Sequence, residues 1–400
     1  MPKSTDTYTK QYIKQFDTES KERKHIILLD GTLNDETGLN SDGLVTNIVH
    51  LKRIFIDDNE NQIVRYHRGV GNDNDNSWVK SRWKGATGKA IAAIIEKAYA
   101  RFVQDWQKGD RIYIFGFSRG AASARLLASK IAKQGIPAGI TIVLEPKENN
   151  ETKVIEQVIT DIDIDNSNKL DIDIEFLGVW DTVSALGLGN NFLRFFGIES
   201  FYKRKQGNKD HDLFFDDTIS PNIKKAVHLV AIDETRNIFV PSLMNQNEEK
   251  EETVHEVWFP GVHSDIGGSY AEDEIAKVTL FYMINQMQLW NKARGLKGFD
   301  FEPKAYDNYV KEKIEKACFH FHGNAVGKDL RTVAVQNSKG ISKSLKPKIH
   351  QLYKDITLAK SSYSIVEIED ENGKKETKSI NFQYKPFNLK VLEGEYIIVT

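Results

Sequence analysis

The sequence predicts an α/β fold with a mainly parallel central sheet flanked by helices. Three observations carry that expectation. Short apolar runs without polar alternation recur at 25–29, 111–115, 172–179, 226–232 and 255–259, the pattern of strands buried on both faces. Segments with apolar residues at three- and four-residue steps lie among them, at 85–106, 121–130 and 275–289, as helices that cover a sheet must. A chain of 400 residues that is 40% hydrophobic and 10% aromatic has the material for a large core.

Residues 1–24 are polar and charged and predict a solvated tail without the apolar core of a secretory signal peptide. The first strand, 25–29, ends at Asp30-Gly31-Thr32, and 33–80, rich in Asn, Asp and Gly, predicts loop with short elements. The helix at 85–106 carries Ile91, Ile94, Ile95, Ala98 and Phe102 on one face and ends at Gly109-Asp110. Strand 111–115 runs straight into Gly116-Phe117-Ser118-Arg119-Gly120, and 121–130 consists of strong helix formers. The polar, acidic stretch 145–170 predicts a surface insertion, and 186–225 a cap-like segment. Near the end, 364–369 and 377–384 flank Asn372-Gly373, a β-hairpin turn signal. One domain over 25–395 is expected to hold all of this.

A net charge of -2 lacks the basic excess of a nucleic-acid binder. Cys318 is the one cysteine, so no internal disulfide supports the fold. No apolar run reaches the length of about 18 residues that a membrane-spanning helix needs. A chain made in the cytoplasm, with neither signal peptide nor transmembrane segment, is expected.

Gly116, Ser118 and Gly120 form G-x-S-x-G between an apolar strand and a helix, the context of a nucleophile elbow in α/β-hydrolases. The serine must sit on a sharp strand-to-helix turn with its hydroxyl exposed, and glycines two residues away remove Cβ atoms that would strike the neighbouring strand and helix. The competing reading makes Ser118 a helix N-cap.

A serine hydroxyl needs a base to take its proton, and in this fold the acid and the histidine follow in that order, each just past a strand. Asp181 follows the 172–179 run. Among the later histidines, His228 and His255 lie inside strands as core residues, and His320 and His322 alternate along one polar face. His263 sits just past a strand in the Gly-rich Pro260-Gly-Val-His263-Ser-Asp265-Ile-Gly-Gly268 and is the best base. Asp265 is the rival acid, or a cap of that turn. Negative charge on the substrate's carbonyl oxygen requires N–H donors. The N–H of Arg119 is one; Gly31 and Thr32, after the first strand, are placed for the second, unless Asp30 only caps a turn.

Four segments together, Leu29-Asp-Gly-Thr32, Gly116-Phe-Ser-Arg-Gly-Ala-Ala122, Val179-Trp-Asp-Thr-Val183 and Val257-Trp-Phe-Pro-Gly-Val-His-Ser-Asp-Ile-Gly-Gly268, resemble the α/β-hydrolase domain family that includes type VI secretion lipase effectors with a G-x-S-x-G motif. Ala231-Ile-Asp-Glu-Thr-Arg236 and Ile349-His350 add weaker support, and the resemblance spans about 25–390. It implies an antibacterial phospholipase, a triad of Ser118, Asp181 and His263, export by a contact-dependent secretion system, and an immunity or secretion-apparatus protein as partner.

Lipid or another carboxylic ester is the expected substrate, with no required cofactor. The aromatic and basic stretch 188–205, with Phe192, Phe195 and Phe196, suits an acyl chain and an anionic headgroup or peripheral contact with a membrane; it reads equally as a buried cap helix with a basic end. Two other functions compete. Asp30, Asp181, His263 and Asp265 are also the donor types of a divalent-metal phosphohydrolase, and the same fold can serve as a catalytically silent binding protein.

Overall fold

The computed structural model describes residues 7–14, 22–32, 34, 37–38, 43–69, 88–148, 155–183, 219–236, 239–246, 252–311, 319–322, 331–337, 340–358, 362–369, 375–381, 384, 386–390 and 392–400. Its centre is an eight-stranded sheet. The sheet strands are β2 (Lys24–Leu29), β3 (Gln62–His67), β4 (Arg111–Phe117), β7 (Phe176–Trp180), β8 (Ala226–Ala231), β9 (Val254–Phe259), β13 (Lys348–His350) and β16 (Ile397–Val399). Their order across the sheet is β16-β13-β9-β8-β7-β4-β2-β3, and every pairing is parallel. The α/β expectation holds.

Alternation along each strand divides the core into two layers. Ile27, Leu29, Ile112, Ile114, Leu177 and Val179 face one side, where α2 (Gly88–Asp105) and α3 (Arg119–Gln134) cover them. Ile26, Leu28, Tyr113, Phe115, Phe176 and Trp180 face the other, under α1 (Asn47–Ile54) and the long helix Glu274–Ala293. Both faces being covered is why these strands read as unbroken apolar runs.

The chain leaves β2 toward β3 at one edge, then crosses to β4 on the other side of β2. The carboxyl ends of β2 and β4 therefore flank a topological switch point, where open parallel sheets bind their ligands.

Two expectations need correction, the solvated tail and the C-terminal bound of the domain; the surface insertion gains strands, and the cap-like segment lies mostly outside the described residues. The tail is not solvated throughout, because β1 (Tyr8–Ile13) pairs antiparallel with β5 (Ile136–Glu148). Tyr8 and Tyr12 turn inward against the core while Thr9, Lys10 and Gln11 stay exposed. The acidic stretch at 145–170 is mostly β6 (Ile155–Leu170), antiparallel to β5. There Asp161, Asp163 and Asp165 are exposed and alternate with half-buried Ile162 and Ile164; average polarity hid a two-residue period. The cap-like segment lies outside the described residues up to 218, and with it Phe192, Phe195 and Phe196; its end does not form a cap, since Ile219 and Ile223 are buried in the main core. Finally, β16 joins the central sheet beyond residue 395.

The C-terminal hairpin is present as β14 (Ser362–Glu369) paired with β15 (Lys375–Asn381), and β14 also pairs with β10 (Phe319–His322). Among the described residues, no helix is long and apolar enough to cross a membrane.

Candidate active site

Ser118 lies between β4 and α3, at the N-cap position of α3, with φ 59° and ψ −125°. A non-glycine residue in that region carries strain of about 1–3 kcal/mol, tolerated where the surroundings over-determine it. Here the neighbours leave no room for another path. A Cβ on Gly116 would lie 2.4 Å from the Gly120 carbonyl oxygen, and one on Gly120 would lie 2.3 Å from that of Leu29. The Ser118 hydroxyl makes no N-cap bond to its own helix. It lies 2.8 Å from His263 Nε2 instead.

His263 opens a short helix, His263–Gly267, just past β9. Its Nδ1 is 2.6 Å from Asp181 Oδ2. A carboxylate only accepts, so Nδ1 carries the hydrogen and Nε2 is left to accept from Ser118. Burial pushes the imidazole below its ordinary pKa, with Asp181 pulling the other way, so the neutral form is favoured. The ring is held between Phe117 and Phe239, with centroids at 4.7 Å and 4.5 Å. Gly267 makes the space for Phe117, whose ring stands 2.0 Å from where a Cβ would be.

Asp181 follows β7 with φ 38° and is fully buried. Each oxygen accepts twice: Oδ1 from Ala231 N–H at 2.9 Å and Arg331 Nη1 at 2.6 Å, Oδ2 from His263 Nδ1 and from Arg331 Nη2 at 2.9 Å. Burial opposes its charge, but the Arg331 guanidinium and the His263 N–H more than offset that and hold the carboxyl well below the usual carboxylate range.

The loop bearing His263 is fastened from β8. Glu234 Oε2 accepts from the His263 backbone N–H at 3.1 Å while Arg236 grips the same carboxylate. Asp233 Oδ2 accepts from Gly261 N–H at 2.6 Å and from Tyr384 Oη at 2.8 Å. Burial pushes the Asp233 carboxyl up to about 7. Behind Asp181, the Thr182 N–H donates to His228 Nε2 at 3.1 Å, and His228 Nδ1 donates to buried Glu256 at 2.8 Å. His228 is a buried, hydrogen-bonded core histidine, whereas His255 is half-buried and meets Tyr282 Oη at 2.7 Å.

The geometry thus joins Ser118, His263 and Asp181. Asp265 is not the partner of His263 Nδ1; its Oδ2 accepts from Val262 N–H at 2.9 Å, a cap on the turn that carries the histidine. Asp30 also organises a turn, accepting from Gly31 N–H at 2.7 Å, Thr46 Oγ1 at 2.8 Å and Tyr66 Oη at 2.7 Å. Gly31, expected as a donor to a substrate oxygen, has its N–H committed to that bond. Gly31 still borders the site, 3.3 Å from Ser118 Cβ to where its own Cβ would be. Thr32 follows with a buried hydroxyl that meets no hydrogen-bond partner. Arg119 is the first residue of α3, and N–H groups in a first turn have no acceptor within the helix. Among the described residues, no group of three or more His, Cys, Asp and Glu could hold a metal ion.

Sequence reasoning missed Arg331, Phe239 and the function of Asp233 and Glu234. The last two lie in the Ala231–Arg236 segment that supported the family resemblance, so a signal existed. Arg331 sits in an ordinary polar-apolar stretch with no motif.

Comparisons with known proteins place this site in context. An uncharacterised Saccharomyces cerevisiae protein is 26% identical over an alignment of 168 positions that covers 36% of this chain and 24% of that protein. The crystal structure of an uncharacterised Pseudomonas aeruginosa protein is 19% identical, with a TM-score of 0.41 over 72% of this chain and 49% of that one. The Tle1 effector bound to the VgrG spike of the type 6 secretion system is 17% identical, with a TM-score of 0.34 over 65% of this chain and 57% of that one. An esterase from Thermogutta terrifontis is 13% identical, with a TM-score of 0.33 over 73% and 92%. The chain therefore spans about a quarter of the curated relative and about half of each of the first two structures. The family described as the type VI secretion phospholipase effector Tle1-like catalytic domain matches residues 23–286. With that match covering well over half of its length, the chain belongs to the Tle1-like phospholipase effector family through its catalytic domain.

Proposed function

We propose that the protein is a serine esterase of the lipase type that cleaves carboxylic esters through an acyl-enzyme. The observation that carries this reading is the continuous hydrogen-bond relay from Ser118 Oγ through His263 to Asp181. Ser118 Oγ attacks the ester carbonyl as His263 Nε2 takes its proton. Asp181 keeps Nδ1 protonated and stabilises the imidazolium that forms. The Arg119 N–H and Thr32 meet the oxyanion, Thr32 replacing Gly31 as second donor. His263 then protonates the leaving alcohol, and water, deprotonated by the same nitrogen, releases the acid. In this scheme the protein's own groups and water carry every step.

Family membership supports phospholipid as the ester and a role as an antibacterial effector exported by type VI secretion. An immunity protein and a component of the secretion apparatus are the partners that role would require. Phe192, Phe195 and Phe196 are proposed lipid contacts on the composition of their segment alone. Replacing Phe195 and Phe196 with Ser should then reduce hydrolysis of vesicles more than that of a short soluble ester, and equal loss on both would favour a buried cap.

The test is to treat the protein and its Ser118→Ala variant with a fluorophosphonate probe, then with mixed phospholipid vesicles, with and without a chelator. Labelling and fatty-acid release that vanish together in the variant support both mechanism and substrate. Labelling without release keeps the esterase and excludes these lipids. Absence of labelling in the unaltered protein removes Ser118 as nucleophile, and activity lost only on chelation would favour a metal phosphohydrolase.

A further inference from the structure

We propose that Arg331 is a positioning residue for the Asp181–His263 pair, so that the working catalytic unit includes chain beyond residue 286, where the family match ends. The inference rests on the serine-esterase reading, whose acid it concerns.

The guanidinium approaches Asp181 with both Nη atoms, one on each carboxylate oxygen, at 2.6 Å and 2.9 Å. Nη1 also donates to Ala231 O at 3.0 Å and Nη2 to Phe239 O. Both carbonyls belong to residues that serve the site. Ala231 donates its N–H to Asp181 Oδ1, and the Phe239 ring covers the imidazole. One side chain thus ties the acid to the end of β8 and to the aromatic cover of the base. Its own backbone is anchored in turn: Asn388 Nδ2 donates to Arg331 O at 3.3 Å and to Ile232 O at 2.9 Å. Val333 and Leu389 pack with Val230, Ile232 and Trp258 in a separate core cluster.

A counter-charge alone would need only one contact. A fork with a donor on each oxygen also fixes the rotation of the carboxylate, and so the direction from which Oδ2 receives the His263 N–H. The positive charge has a second effect. Asp181 and Glu234 favour the imidazolium, whereas Arg331 opposes it. Ser118, Phe117 and Phe239, the other groups against the ring, carry no charge at neutral pH. Losing the guanidinium should therefore make His263 easier to protonate and move the acid limb of kcat/KM to higher pH.

The test uses the full chain as wild type, Arg331→Lys, Arg331→Met and Ser118→Ala. It measures kcat and KM for p-nitrophenyl butyrate across pH, with circular dichroism as a check on folding. Arg331→Lys keeps the charge and loses the fork; its kcat should fall about 100-fold, the scale of a catalytic group displaced by roughly 1 Å, with KM little changed and the acid limb in place. Arg331→Met should add an upward shift of the acid limb. Wild-type kcat in a folded Arg331→Lys overturns the proposal, whether or not Arg331→Met folds. An unmoved acid limb in a folded Arg331→Met overturns its electrostatic half. Failure of the underlying reading looks different: Ser118→Ala would then hydrolyse the ester at the wild-type rate.

Discussion

Replacing Asp181 with Asn is expected to damage catalysis and stability together. Each carboxylate oxygen accepts two donors, so the site offers four N–H groups to one side chain. An amide can satisfy only the pair on its oxygen. If its NH2 faces His263, the ring must present Nδ1 as acceptor, Nε2 then holds the hydrogen, and Ser118 loses its base. That tautomer error is worth about 10⁴ in kcat in the serine proteases where it has been measured. Turned the other way, the NH2 opposes Ala231 N–H and Arg331 Nη1. In either orientation Arg331, 8% exposed, stays buried without its counter-charge. Breaking one side of a buried ion pair costs about 3–5 kcal/mol. With an unfolding entropy of roughly 0.8 kcal/mol/K for a chain of this size, the melting temperature should drop by about 4–6 °C. Calorimetry beside p-nitrophenyl butyrate hydrolysis at pH 8 measures both, and Ser118→Ala, which removes only a hydroxyl, is the stability control. A variant that loses activity yet melts with the wild type would refute the claim that this carboxylate neutralises Arg331.

Three further outcomes follow from the surroundings of the site. Asp233, raised by burial to about 7, keeps its proton on folding where the unfolded chain has lost it, so its contribution is full below about pH 4 and lost as pH rises to about 7. Asp233→Asn should flatten that slope and gain up to about 4 kcal/mol at pH 8 in denaturant melts; an unchanged pH profile would place the carboxyl in the ordinary range. Phe239→Ala opens one face of the His263 ring to water and should move the acid limb of kcat/KM upward, because burial is what lowers the imidazole; a fixed limb would show that Phe117 alone sets that environment. Gly120→Ala forces a methyl against the carbonyls of Leu29 and Asp30 and should destabilise by about 1–3 kcal/mol or more while abolishing fluorophosphonate labelling; retained labelling would mean that the elbow can relax.

The parts of the site that were legible in the sequence share one property: each lies immediately after a strand buried on both faces. Ser118, Asp181 and His263 follow β4, β7 and β9, and unbroken apolar runs advertise those positions. The strands of the antiparallel sheet were hidden for the opposite reason. One face of β6 is exposed, so its isoleucines are diluted by aspartates to the composition of a loop. Arg331 was illegible because nothing local requires it. Its guanidinium answers a charge 150 residues earlier, and a contact of that range leaves no periodicity near either partner. Gly31 shows a finer limit: the motif located the loop beside Ser118, but which N–H remains available depends on where the Asp30 carboxylate turns.

The spacing of these contacts also bears on how the molecule acquires activity. Ser118 meets His263 across 145 positions, and Asp181 meets Arg331 across 150. Helices such as α2 and α3 close through neighbours only a turn away, whereas the relay and its guanidinium brace exist only after loops of 145 and 150 positions have closed. Contacts of that range are the slow ones in folding, since the entropy of closure precedes any reward. During refolding, helical signal should return well before hydrolysis does, and the rate at which turnover recovers is a clock for docking of the C-terminal segment onto β8.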